Sequence, residues 1–158
     1  MFKISVDPGL GGTGYAVWKG KHTWGELNPF EIGVINCRGD KPFEEQVKVI
    51  VGLLHKELYW KDVNEVALEW PKLHSGSAKS HMSAVKGDLF KLTYLIGALA
   101  QSFSSQKIVL VPVINWRGQL PEPVLKRRIE KLIKEDLSEV TPHEIDAVGI
   151  GLYMQGRF

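Results

Sequence analysis

The stretch ISVDPGLGGTGYAVW, Ile4–Trp18, decides the fold. An apolar run ends in Asp7, crosses Pro8-Gly9 and further glycines at 11, 12 and 14, and resumes as a second apolar run. That is a strand, a tight connection and a returning strand, with one carboxylate at the turn. Asp7 reads either as a solvated turn residue or as a carboxylate aimed at a ligand.

Outward from this hairpin, Glu31–Cys37 alternates and is rich in β-branched residues, so it reads as a third strand. The period then changes. Phe43, Val47, Ile50, Val51, Leu54 and Leu58 recur at threes and fours, which predicts an amphipathic helix. Val63–Trp70 is a fourth strand ended by Pro71, and 71–84 a polar, basic loop. Val85–Phe103 is predicted as a helix whose apolar residues spread round the circumference, implying burial on more than one side. Lys107–Val113 is a fifth strand, 115–123 a loop, and Val124–Leu137 a basic helix. A last helix begins at Thr141, where Thr141, Pro142 and Glu144 spell a capping box with proline in the first turn. Three hairpin-linked strands followed by crossovers predict an α/β fold, a five-stranded mixed sheet (three antiparallel strands plus two parallel) flanked by helices.

The totals set bounds. The 158 residues, 44% hydrophobic and 24% charged, suit one globular domain over 1–158. No apolar run reaches the roughly 18–20 residues that cross a bilayer. No secretory pattern opens the chain, so a cytoplasmic location is expected. The lone Cys37 excludes an internal disulfide and a cysteine-based zinc site. Net charge is only +2, yet 72–134 carries eleven Lys/Arg against three acids. Such a basic stretch suits a polyanion or, equally, a solvated helix face.

Asp7 and Glu69 each end a strand. If those strands are parallel neighbours, both carboxylates emerge at one sheet edge, where α/β folds gather ligands. Asp146 and His143, three apart on the last helix, share a face that can lie against that edge. Glu69 also reads as a surface acid, and Asp146 and His143 as first-turn residues near the helix dipole. Taken together, converging carboxylates need cations, and oxygen-rich sites suit Mg²⁺ or Mn²⁺. A metal-binding acidic centre beside a basic surface points to a nuclease. A sugar-kinase-like phosphate binder would need a second Gly-rich hairpin, which is missing.

The motifs VDPGLGGTGYAV, ALEWP and HEIDAVGIGLY, in this order and spacing, resemble those of RuvC-type Holliday-junction resolvases of the RNase H-like superfamily. The resemblance spans essentially the whole chain. It implies a crossover junction endodeoxyribonuclease in which Asp7, Glu69, His143 and Asp146 hold two Mg²⁺ ions, with Mn²⁺ able to substitute. It implies paired symmetric nicks in a four-way junction, leaving ligatable 5′-phosphate ends. It further implies a homodimer through the Val85–Phe103 helix and a nucleoid-associated role in recombination and repair. The family often carries an aromatic residue three positions after the glutamate; here that position is Lys72, with Trp70 directly after Glu69 and His74 beyond. The loop INWRGQLPEPVLKRR looks closer to phage-type members. Lys72, His74, Lys79, Lys86, Arg117, Lys126 and Arg127 are the candidate DNA contacts. Trp116 either stacks on a sugar or base or anchors its loop in the core. The alternatives are a broader branched-DNA or RNA–DNA hybrid nuclease, and a silent DNA-binding module.

Overall fold

A computed structural model of the chain describes residues 1–20, 24, 28–37, 41–59, 61–71 and 87–158. Its elements are β1 (Phe2–Asp7), β2 (Gly12–Lys19), β3 (Glu31–Asn36), α1 (Phe43–Leu58), β4 (Val63–Trp70), α2 (Asp88–Ser102), β5 (Lys107–Pro112), α3 (Val113–Trp116), α4 (Glu122–Ile133) and α5 (Pro142–Met154). The strands form one sheet in the order β3-β2-β1-β4-β5. β1, β2 and β3 pair antiparallel, while β4 runs parallel to β1 and β5 parallel to β4. This is the expected mixed sheet.

The period-two alternation of the strands builds two cores. Ile4, Val6, Val17, Val66 and Leu68 pack under the α1–α2 side, against Ile50, Leu54, Leu95 and Leu99. Ala16, Trp18, Ala67 and Val111 pack on the other side, against Leu125, Ile129, Val148 and Leu152. Lys3, Ser5 and Asp7 interleave with Ile4 and Val6, so the pleat turns them toward the α5 side; Glu65 and Glu69 share that side with Ala67. Ser5 shows the consequence. Its hydroxyl donates to the Ala147 carbonyl of α5 at 2.7 Å and accepts from Trp18 Nε1 at 2.8 Å. At the opposite end of the sheet, buried Lys3 meets Glu65 at 2.5 Å, and Lys107 takes the other carboxylate oxygen at 3.0 Å. A buried cation is tolerable only when paired in this way.

Helix α5 presses directly on β2 and β1. A Cβ at Gly151 would overlap the Trp18 ring, and one at Gly149 the Trp116 ring. Trp18 is buried and tethered to Ser5, so it has no room to yield. Gly151→Ala is therefore expected to cost about 2 kcal/mol by overpacking, read as a melting temperature lowered by roughly 4–8 °C.

Several expectations are corrected. β5 ends at Pro112, and the predicted loop 115–123 opens inside a short helix, α3, and closes inside α4. α4 runs Glu122–Ile133 rather than Val124–Leu137, because Lys134 adopts a left-handed φ of 58° that stops it. α2 buries Leu95, Ile96 and Leu99, but Phe90 and Tyr94 are 69% and 58% exposed. Burial of this helix on more than one side thus does not extend to Phe90 and Tyr94. Residues 72–86 lie outside the described residues, and with them the start of the Val85–Phe103 helix.

Candidate active site

The parallel pairing of β1 with β4 aligns Val6 with Leu68, which places Asp7 beside Glu69 at the carboxyl ends of both strands. The third wall is the first turn of α5. The capping box forms as the sequence predicts. The Thr141 hydroxyl accepts from the Glu144 backbone N–H at 3.4 Å, and the Thr141 backbone N–H donates to Glu144 Oε2 at 2.9 Å. This turn sits on β2. A Cβ at Gly14 would overlap the backbone carbonyl of His143, so the glycine there is a packing requirement. The close approach sets His143 Nδ1 2.6 Å from Asp7 Oδ2.

The other two acids are each met by a neighbouring pair of residues at the end of α3. Trp116 Nε1 donates to Glu69 Oε2 at 3.0 Å, and Arg117 Nη1 donates to Asp146 Oδ2 at 2.6 Å. Trp116 is only 2% exposed. That corrects its candidacy as a stacking platform: a ring enclosed against Gly149 and Glu69 anchors its segment in the core and has no open face for a base. Arg117 was read from sequence as a DNA contact; in the fold it is first an ion-pair partner of Asp146. Sequence reasoning missed both contacts. The available signal was the position of Trp116-Arg117 just past the carboxyl end of β5, on the same edge as Asp7 and Glu69.

Burial and mutual repulsion dominate the electrostatics. Burial holds the Asp7 carboxyl above its ordinary value, and the His143 and Arg117 charges only partly offset it. Burial, then the charges of Asp7 and Asp146, push Glu69 up to about 8. Burial and Asp7 push Asp146 up to about 7 despite Arg117. The hydrogen bond to Asp7 raises His143. Groups this displaced, clustered at a sheet edge, mark a functional site more often than a structural one.

Among the described residues, no three His, Cys, Asp or Glu side chains lie close enough together to hold an ion as they stand. Each acid is turned to its own partner: Asp7 to His143, Glu69 to Trp116, Asp146 to Arg117. The donor chemistry nonetheless fits a hard divalent cation. Three carboxyls and one imidazole share a site where Asp7 and Asp146 raise the proton affinity of Glu69, Asp7 raises that of Asp146, and the acids together raise that of His143.

The remaining sequence candidates divide. Lys126 is half-buried and Arg127 exposed on α4. Lys72, His74, Lys79 and Lys86 lie outside the described residues.

Comparison with solved structures agrees with this geometry. Thermus thermophilus RuvC in complex with a Holliday junction substrate superposes with a TM-score of 0.72 at 15% identity, covering 99% of this chain and 96% of that one. The fold is that of RuvC. A second Thermus thermophilus RuvC structure gives a TM-score of 0.69 at 18% identity, with the same coverage of 99% and 96%. The fowlpox virus resolvase with Holliday junction DNA gives 0.57 at 17% identity, covering 98% of this chain and 99% of its own. Neither a protein-family model nor a curated protein matches the sequence. The likeness to RuvC is therefore one of fold, and the RNase H-like architecture read from the three motifs is present.

Proposed function

We propose that the protein is a metal-dependent endodeoxyribonuclease that resolves four-way DNA junctions by paired symmetric nicks, as a single nuclease domain over 1–158. The observation that carries the reading is the convergence of Asp7, Glu69 and Asp146 from three separate elements on one sheet edge of a RuvC fold, with Glu69 pushed up to about 8. Buried acids crowded in this way are costly unless a cation compensates them.

Asp7, Glu69, His143 and Asp146 would hold two divalent cations, Mg²⁺ with Mn²⁺ able to substitute. When bound, the cations supply charge neutralisation at the attacked phosphodiester and acidity to the attacking water. The chain's own residues do the positioning. Trp116 fixes one oxygen of Glu69 through its ring N–H. His143 is oriented through Nδ1 on Asp7, and its second ring nitrogen has the chemistry to ligate or to accept a proton. Arg127 and Lys126 on α4, with Lys72, His74, Lys79 and Lys86, are proposed to hold backbone phosphates. Exposed Phe90 and Tyr94 on α2 support a homodimer through the Val85–Phe103 helix, which would set two sites for symmetric cutting. Among the described residues no helix is long and apolar enough to cross a membrane, and a cytoplasmic, nucleoid-associated location is proposed with the DNA substrate.

The test is cleavage of a labelled synthetic four-way junction with Mg²⁺, beside duplex, Y-fork and RNA–DNA hybrid, with EDTA as control. Paired nicks placed symmetrically across the junction, lost in EDTA, are expected. Preferential cutting of the fork or the hybrid would move the function to general debranching or hybrid hydrolysis. Binding with no cutting of any substrate would leave a DNA-binding module.

A further inference from the structure

Among the described residues, Arg117 is the cation paired with Asp146. Its guanidinium donates to Asp146 Oδ2 at 2.6 Å, with the arginine side chain 26% exposed and the aspartate 15%. Arg117 also lines a cavity of about 300 Å³ whose lining includes Asn115, Gln119 and Arg128. Arg117 therefore stands between a metal-ligand candidate and a recess in which Asn115, Gln119 and Arg128 are mixed with Ile114, Leu120 and Phe158. An arginine fork can satisfy a carboxylate or a phosphate with equal geometric ease, but not both with the same N–H groups. Arg117 is the C-cap of α3, still in right-handed helical conformation with its backbone N–H on the Val113 carbonyl, and Gly118 follows at a φ of 61°.

The geometry points to Arg117 as a resident counter-cation of Asp146 that a divalent ion displaces, and that then serves as a phosphate contact in the Asn115–Gln119–Arg128 recess. The inference rests on the metal site proposed above. Arg117 holds Oδ2 of Asp146, so an ion that engages Asp146 through that oxygen competes with the guanidinium for it. Arg117 itself lines the recess, and Arg128, whose guanidinium lies 4.4 Å over the Phe158 ring, is its second basic residue. The contribution of Arg117 to DNA affinity is thus conditional on metal, unlike that of an ordinary surface lysine, which acts with or without it.

The experiment uses the full chain. Calcium, a divalent cation taken up by oxygen ligands, is titrated calorimetrically into DNA-free protein, and junction affinity is measured in EDTA and in Ca²⁺. Arg117→Ala is expected to bind Ca²⁺ about tenfold more tightly than wild type, because a charge-assisted competitor for Asp146 is gone. Its junction affinity should match wild type in EDTA and fall about tenfold in Ca²⁺. Arg117→Lys, which keeps the charge, should hold Ca²⁺ affinity near the wild-type value. Should Arg117→Ala not fold, Arg117→Gln gives the same readings. Unchanged or weaker Ca²⁺ binding in the neutral variants, or equal loss of DNA affinity in EDTA and Ca²⁺, overturns the role of Arg117 alone. Wild type that takes up no Ca²⁺, or takes it up equally as Asp146→Asn, overturns the metal site and this inference with it.

Discussion

Asp7→Asn will reduce junction cleavage by about 10³-fold or more while leaving junction binding intact. The expectation follows from where Asp7 sits. It is 7% exposed, it ends the central strand β1, and it lies next to Glu69 and beside the first turn of α5. No other acid lies at the centre of the set: Asp7 raises the proton affinity of both Glu69 and Asp146. Asparagine keeps the size and an oxygen that can accept from His143, but loses the negative charge that would hold a cation. The variant should also fold. Removing a charge from a buried cluster of like charges relieves repulsion, so its melting temperature at pH 8 should equal or exceed that of wild type. Gel-shift binding together with single-turnover cleavage separates the two effects. Cleavage within about tenfold of wild type would remove Asp7 from the metal site, given the size usual for loss of a catalytic charge.

Asp7 and Glu69 were legible in the sequence because strand ends and parallel pairing leave few places for them to go. The alternation Lys3-Ile4-Ser5-Val6-Asp7 even carries the face, since every polar residue of it turns to α5. The capping box at Thr141 and Glu144 was legible for the same reason, being a local motif with local partners. The partners of the acids were not legible. Trp116 reaches Glu69 across 47 positions, and Arg117 reaches Asp146 across 29. Those meetings depend on how α3 docks on the carboxyl edge, which no local pattern encodes. Gly14 reads in the sequence as part of the tight connection after Asp7, and the fold gives it a more specific role: without a Cβ, β2 lets the His143 backbone approach. On α2, periodicity found the apolar positions but not which side faces solvent. Phe90 and Tyr94 look identical in sequence to core residues.

The stability of the protein held free of divalent ions will fall as pH rises from 5 to 8, by about 3 kcal/mol. Glu69 is pushed up to about 8 and Asp146 to about 7, both by burial first and neighbouring acids second. Between the ordinary carboxyl value and these raised values, the folded protein keeps protons that the unfolded chain has released. Raising pH through that window removes them and costs stability. His143, raised by its bond to Asp7, acts in the same direction, because its stabilisation is lost as pH rises through its folded value. Glu65 works the other way: it is lowered, by Lys3 and Lys107 against the opposing effect of burial, so its contribution disappears only as pH falls below the carboxyl range. The window from 5 to 8 therefore belongs to the acidic site. Glu69→Gln isolates it, since a glutamine oxygen still accepts from Trp116 Nε1. Urea titrations should show the variant more stable than wild type by about 2 kcal/mol at pH 8 and level with it at pH 5. Millimolar Mg²⁺ should restore wild type at pH 8 and do less for the variant, because the ion and the amide relieve the same repulsion. A wild-type stability that is flat or rising across this window would mean that the three acids do not crowd one another, and the case for a cation between them would go with it.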